Sequence, residues 1–149
     1  MEIVTASAAV GYIGKVEKNS AKLYENLAQK HADDGETFLF LAKENRQNKK
    51  SIEYAYHGVI SDKLEACFCF DNLDADNYSI KTELPKGINY PDALRKLIDM
   101  EEKIQKFLLD AAKQSGSLLP DVSWIFKRVG KKRTERIAKL RSLLDKVAK

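Results

Sequence analysis

Cysteine, proline and glycine are all scarce in this chain. Only two cysteines, three prolines and seven glycines stand among its 149 residues. An all-β chain needs more turn punctuation than this, so the composition leans helical. The two cysteines, Cys67 and Cys69, are too few and too close to build a disulfide framework. No paired CxxC motif occurs, which removes a zinc ribbon or a rubredoxin-type iron site. No apolar run reaches the roughly 18 residues of a membrane span. Glu2 stands where a signal peptide would carry Lys or Arg, so a cytoplasmic location is expected. A glycine-rich phosphate loop and a GxSxG elbow are both missing, and the two histidines have no evident partner for general-base work.

What the chain does have is charge and helical periodicity. It carries 26 Lys+Arg against 22 Asp+Glu, a formal net charge of +4, with 44% apolar and 32% charged residues. That balance suits long amphipathic helices in a single domain spanning residues 1–149. Apolar residues recur at helical spacing over residues 7–31, 36–60, 91–114 and 121–148. The break at 32–35 is short, which makes the first two helices antiparallel neighbours. Pro91 and Asp92 suit the first turn of the third helix, Gly116 its end, and Pro120 or Asp121 the start of the fourth. Residues 61–90 lack a clear period, with room for a short helix near 61–68. The pattern predicts an all-α protein, an antiparallel four-helix bundle with a long crossover between helices 2 and 3. An up-down bundle with an inserted loop is the alternative.

The polar residues that interrupt the apolar stripes are the informative ones. Positions three, four and seven apart share a helical face. Glu17 lies seven after Val10 and seven before Tyr24, and Glu101 lies four after Leu97 and seven before Leu108. Asn45 lies four after Leu41, and Asn48 four before Ile52. Arg133 lies four after Val129, and Arg136 four before Leu140. Each helix thus puts polar groups on its inward face near its middle. Buried charges are costly without partners, so four such helices imply one shared polar cluster. The competing expectation is a register offset of about 40° that leaves these groups at helix borders with their heads in solvent.

The two halves also resemble each other. Glu17 is followed by Leu23, Tyr24 and Ala28 at the spacings at which Glu101 is followed by Phe107, Leu108 and Ala112. Phe38, Leu41, Ala42, Asn45 and Asn48 match Phe126, Val129, Gly130, Arg133 and Arg136 in the same way.

Through the segments VEKNSAKLYENLAQ, FLFLAKENRQNKK, MEEKIQKFLLDAA and FKRVGKKRTERIAKL, the chain resembles the ferritin-like superfamily, its rubrerythrin-like branch above all. The resemblance implies a ferritin-like fold. In that family the first and third helices each give one Glu and the second and fourth each give Glu-x-x-His, together holding two iron or manganese ions. Glu17 and Glu101 stand at the single-Glu positions. Asn45 and Asn48 stand at the second-helix pair, and Arg133 and Arg136 at the fourth-helix pair. No Glu-x-x-His exists in the sequence. Arginine has no lone pair to give a metal, so the expectation is a degenerate site. Its two guanidinium groups would replace the metals as countercharge to the two carboxylates, with the asparagines satisfying leftover donors.

Three functions follow as expectations. The first is a non-catalytic structural or interaction protein without a cofactor, forming a homodimer. The second is a rubrerythrin-type oxidoreductase, with iron or manganese held by Glu17, Glu44 and Glu101. The third is nucleic-acid binding through the fourth helix, because residues 127–149 hold ten basic residues and only two acidic ones. Base stacking lacks support there, since no aromatic beyond Phe126 interleaves with the basic residues. Asp62, Glu65, Asp71, Asp74 and Asp76 offer an acidic crossover to lie against that basic helix, within one subunit or across a dimer. Tyr24 reads as a core aromatic, His31 as a cation suited to a helix C-terminus, and Glu53 with His57 as too little for a metal site.

Overall fold

A computed structural model of the chain describes residues 1–59, 70, 72–115 and 119–148. Its core is four long helices: α1 (Ala6–Lys30), α2 (Gly35–Val59), α3 (Tyr90–Ser115) and α4 (Pro120–Val147). No strand occurs among the described residues, where an isolated bridge joins Glu2 to Asp74.

Local chemistry sets the helix ends. Thr5 caps α1, its hydroxyl accepting from the Ala8 amide at 3.1 Å. His31, with non-helical dihedrals, ends α1, and residues 32–34 form a single 3₁₀ turn into α2. Asn89 caps α3, its side chain accepting from the Asp92 amide at 2.9 Å. Pro120 opens α4, where its missing N–H costs nothing. Tyr90 then fastens α3 to the α1–α2 turn. Its ring stacks on His31 at 4.0 Å and its hydroxyl donates to Asp34 at 2.6 Å. His31 thus packs as a ring at this corner, and Asp34 accepts from Tyr90 with Lys146 3.7 Å from its other oxygen.

Side-chain contacts fix the directions. Glu25 pairs with Arg46 at 2.8 Å while Gly14 faces Lys49, so α1 and α2 are antiparallel. Ser123 donates to the Ala112 carbonyl at 2.5 Å and Arg141 meets Glu102 at 3.3 Å, so α3 and α4 are antiparallel. Lys139 covers Phe40 at one end of α2, while Trp124 and Tyr54 share a groove at the other, so α2 and α4 are antiparallel as well. Helices α2 and α3 therefore run the same way. The chain between them must return the length of the bundle.

The described part of that return, residues 72–89, travels along α3 from its C-terminal to its N-terminal end. Asn72 exchanges hydrogen bonds with Gln114, and Tyr78 donates to Asp110 at 2.8 Å and sets its ring edge-on to Phe107. Leu73 and Tyr78 are buried, and Ile80 and Leu84 pack against the core. The start of the chain pairs with it, Ile3 donating to the Leu73 carbonyl at 2.7 Å and Ala75 to that of Met1 at 2.8 Å. The acidic crossover does not behave as its charge suggests. Asp74 and Asp76 sit at the N-terminal segment and make no ion pair with α4 among the described residues. The basic α4 instead carries its charge outward, apart from Arg133 and Arg136. Asp62, Glu65, Asp71, Cys67, Cys69, Gly116 and the short helix expected near 61–68 lie outside the described residues.

At Gly130, α4 packs tightly against α3. A Cβ there would stand 3.0 Å from Leu109 Cδ2 and 3.2 Å from Leu108 Cβ, whereas one on Gly11 would meet nothing within 4 Å. Gly130→Val should therefore lower stability by about 1–3 kcal/mol through overpacking. Gly11→Ala should raise it by about 0.5–1 kcal/mol, because helix interiors favour alanine. Urea midpoints of the two variants, moving in opposite directions, check the packing.

Candidate functional site: a buried arginine–carboxylate cluster

The interior of the bundle is not wholly apolar. Around it lie Ile13, Tyr24, Phe38, Leu41, Leu97, Ile104, Phe126 and Leu140, all buried. Within it sit Glu17 and Glu101 at 0% exposure, Asn45 at 0%, Asn48 at 3%, Arg133 at 0% and Arg136 at 1%. Helical phase places them there. Each shares a stripe with core residues three, four or seven positions away, so when the stripe turns inward the polar group goes with it. Glu135, one position off the Arg136 stripe, is exposed.

Arg136 is the most completely engaged side chain of the cluster. Its Nε donates to Glu101 Oε2 at 2.7 Å and its Nη2 to Glu101 Oε1 at 3.2 Å, a side-on fork. The same Nη2 donates to Asn45 Oδ1 at 2.9 Å. Its Nη1 donates to the Leu41 carbonyl and to Glu44 Oε1, both at 3.0 Å. A guanidinium has five N–H groups, and all five are used. One side chain from α4 thereby holds α3 and two successive turns of α2.

Arg133 is held more loosely. Its Nη2 donates to Glu17 Oε1 in a short contact, and its Nε lies 3.5 Å from Glu101 Oε2. Arg133 Nε and Nη1, Glu17 Oε2, Ser20 Oγ, Tyr24 OH, Tyr56 OH and the Asn45 and Asn48 amide nitrogens make no well-aligned hydrogen bond. The cluster is thus saturated around Arg136 and under-satisfied around Arg133. Tyr24 is stacked on Phe38, with the Arg136 guanidinium 5.3 Å from its ring centroid.

The electrostatics follow this geometry. Burial alone would raise the Glu101 carboxyl, but Arg136 and then Arg133 outweigh it and hold its pKa below the ordinary range. Burial likewise works against the Arg136 cation. Glu101 more than offsets it, so the guanidinium stays protonated with a raised pKa. Burial, then the charge of Glu101, pushes the Tyr24 phenol up. Three carboxylates, those of Glu17, Glu101 and the partly buried Glu44, face two guanidinium groups.

Two details differ from the expectation drawn from the residues. Asn48 is buried but forms no hydrogen bond to either arginine, so Asn45 alone serves as the amide acceptor. Glu44, considered above as a metal ligand, is instead a direct partner of Arg136. The Leu41 carbonyl was not anticipated, and stripe analysis cannot find it, because it belongs to the backbone. Glu44 could have been found, since an arginine long enough to cross α2 meets the residue beside Asn45.

Iron or manganese, which the family resemblance implies, does not fit this donor set. Glu17, Glu44 and Glu101 each face a guanidinium. Divalent metals need lone pairs from carboxylate or imidazole, and guanidinium supplies only N–H donors and positive charge. Among the described residues, no group of three or more His, Cys, Asp and Glu side chains is arranged to hold a metal ion. His57 is exposed and stands edge-on to Tyr56, while Glu53 pairs with Lys49 at 2.5 Å. No helix among the described residues is long and apolar enough to cross a membrane.

Comparison with known proteins adds little. No family model matches the chain, and no solved structure matches it. A stretch of 60 residues, 40% of the chain, is 37% identical to Rho GTPase-activating protein 32 of Xenopus laevis. The chain spans 3% of that protein's length.

Arg136→Leu leaves Glu101 buried without its fork and should cost about 3–5 kcal/mol. Arg133→Leu leaves Glu17, equally buried, without its cation and should cost about 3–5 kcal/mol as well. Equilibrium urea unfolding measures both. The depressed pKa of Glu101 also sets a pH dependence. Below the ordinary glutamate value of about 4.3 the unfolded chain binds the proton first. The contribution of Glu101 is therefore full above that value and is lost as pH falls through the lower folded pKa. Glu101→Gln should flatten this part of the stability profile.

Proposed function

We propose that this chain is a ferritin-like bundle in which guanidinium groups take the place of the two metal ions, and that it serves as a non-catalytic structural or interaction module. The observation that carries the reading is the Arg136–Glu101 fork with every guanidinium N–H engaged. Two features support the ferritin-like arrangement. Helices α2 and α3 run the same way and so call for a long connection. Each helix also contributes inward polar residues near its middle, at the positions where the resemblance puts ligands. The charge of a di-metal centre is balanced by carboxylates, and here Glu17 and Glu101 meet Arg133 and Arg136 instead.

An oxidoreductase using Glu17, Glu44 and Glu101 is the weaker reading, because each of those carboxylates is already committed to an arginine. Metal chemistry also needs an open coordination position, and a guanidinium offers none.

Anaerobic titration with ferrous iron, followed by metal analysis after desalting, tests the proposal. The wild-type chain should retain no stoichiometric iron, and tight stoichiometric retention would overturn the reading. A complementary variant restores the missing ligands. Asn45→Glu, Asn48→His, Arg133→Glu and Arg136→His together recreate two Glu-x-x-His pairs opposite Glu17 and Glu101. This variant should gain stoichiometric cobalt with visible d–d absorption. Failure of the folded variant to bind cobalt would argue against descent of these positions from a di-metal site.

A further inference from the structure

The outer face formed by α2 and α4 carries cations that no carboxylate answers. Lys43 and Lys50 on α2 and Arg128, Lys131, Lys132 and Lys139 on α4 are all exposed, and none makes an ion pair among the described residues. Elsewhere the exposed Arg46, Lys106 and Arg141 each meet a carboxylate. Helical phase gathers the six. Lys43 lies three after Phe40 and Lys50 four before Tyr54, while Lys131 lies seven after Trp124 and Lys132 seven before Lys139. Glu36, Asp121 and Glu135 are the exposed carboxylates there, so the face stays net positive.

The same face carries aromatic rings that the bundle does not bury. Tyr54 is 83% exposed, Trp124 60% and Phe40 48%. Tyr54 and Trp124 line a groove of about 660 Å³ at one end, with Arg128 5.5 Å from the Trp124 ring. Phe40 stands at the other end, with Lys139 3.8 Å from its ring. Phe40 and Tyr54 are separated by about 21 Å of helix. Single exposed rings need no explanation, but these flank a field of unpaired cations.

The arrangement discriminates between anionic partners. A single-stranded nucleic acid stacks successive bases on rings that follow one another, and here the rings stand at two ends with lysines between. A duplex offers phosphates to the cations and leaves the rings without a partner. A sheet of anionic headgroups uses both. Tryptophan and tyrosine settle at headgroup level, and lysine and arginine are drawn to the negative surface with their stems along apolar groups, as Lys139 lies on Phe40. Contact at this depth needs no helix able to cross the bilayer.

We propose that the α2–α4 face docks on an anionic lipid bilayer, with Trp124, Tyr54 and Phe40 seated among the headgroups and the six cations facing the lipid anions. The proposal names a partner for the interaction module and rests on that reading for its role alone, since none of these side chains belongs to the buried cluster.

Co-sedimentation of the full chain with phosphatidylcholine vesicles, with and without about 30% phosphatidylserine, tests it. The wild type should pellet with the anionic vesicles and not with the neutral ones, and high salt should release it. Trp124 is the sole tryptophan of the chain. Its emission should shift to the blue on binding and be quenched by brominated acyl chains. Lys131→Glu with Lys132→Glu should weaken binding at least tenfold. Lys18→Glu with Lys22→Glu, the same charge change on the exposed side of α1, should weaken it by no more than about threefold. A wild type that stays in the supernatant overturns the proposal, and capture of single-stranded oligothymidine by that chain then gives the face to nucleic acid. Equal losses from the two charge reversals, or unshifted Trp124 emission from vesicle-bound protein, overturn the assignment to this face. None of these outcomes touches the iron titration, so failure of docking and failure of the guanidinium reading are separately visible.

Discussion

A guanidinium sealed inside an apolar bundle must bring its partners with it. Removing Arg136 and Glu101 from water costs several kcal/mol for each ion, and their mutual attraction repays this only when the remaining N–H groups and lone pairs are also satisfied. Arg136 meets that demand by drawing on Glu101 from α3 and on Leu41, Glu44 and Asn45 from α2. A shift of α4 along its axis by one residue, about 1.5 Å, would break several of these bonds at once. The cluster therefore acts mainly on register. The apolar layers around it tolerate small slides, and the five directed bonds do not. Arg133 extends the same constraint to α1 through Glu17.

The asymmetry between the two arginines has a physical consequence. Around Arg136 donors and acceptors match. Around Arg133, its own Nε and Nη1 and the second oxygen of its partner Glu17 are left without hydrogen bonds. An apolar replacement of the whole group would remove these costs, and buried ion pairs are often exchanged for apolar residues without loss of stability. Stability alone does not account for such a cluster. Specification of helix register accounts for it better, and so does descent from a bundle whose centre was polar for another reason.

The helices and the identity of the inward polar residues were legible because both follow from one period. A 3.6-residue repeat tells which residues share the face of Leu41, Val129 or Leu140, and Asn45, Arg133 and Arg136 are among them. It does not tell how far a side chain reaches. Arginine is long enough to cross to the next helix, so its partners depend on interhelical geometry. Glu44 and the Leu41 carbonyl were missed as partners for that reason, and Asn48 was credited with a bond it lacks. The caps divide in the same way. Pro120 is readable as an opening residue, whereas Asn89 was hidden by Pro91, which carries the stronger local signal two positions later. Tyr90, which joins His31 and Asp34, required knowledge that α3 begins beside the α1–α2 turn. Asp74 and Asp76 pair with the N-terminal amine and not with α4, because charge complementarity in a sequence carries no information about the path of a long connection.

Exchange of a metal for a guanidinium inverts the roles of the surrounding groups. A divalent ion accepts lone pairs, so its shell must be carboxylate or imidazole. A guanidinium donates protons in a plane, so its shell must be acceptors in fixed directions. Glutamate serves both, which is why Glu17 and Glu101 suit either centre. Histidine as a ligand offers one lone pair and is a poor acceptor for a fork, whereas the Asn45 carbonyl accepts from Arg136 Nη2 at 2.9 Å. On the proposed descent, substitution toward asparagine in α2 and toward arginine in α4 would be one coupled change rather than two. Either alone strands a charge: arginine opposite an intact metal shell repels the ion, and asparagine without arginine leaves two carboxylates facing each other. Both oxygens of Glu101 are held by Arg136.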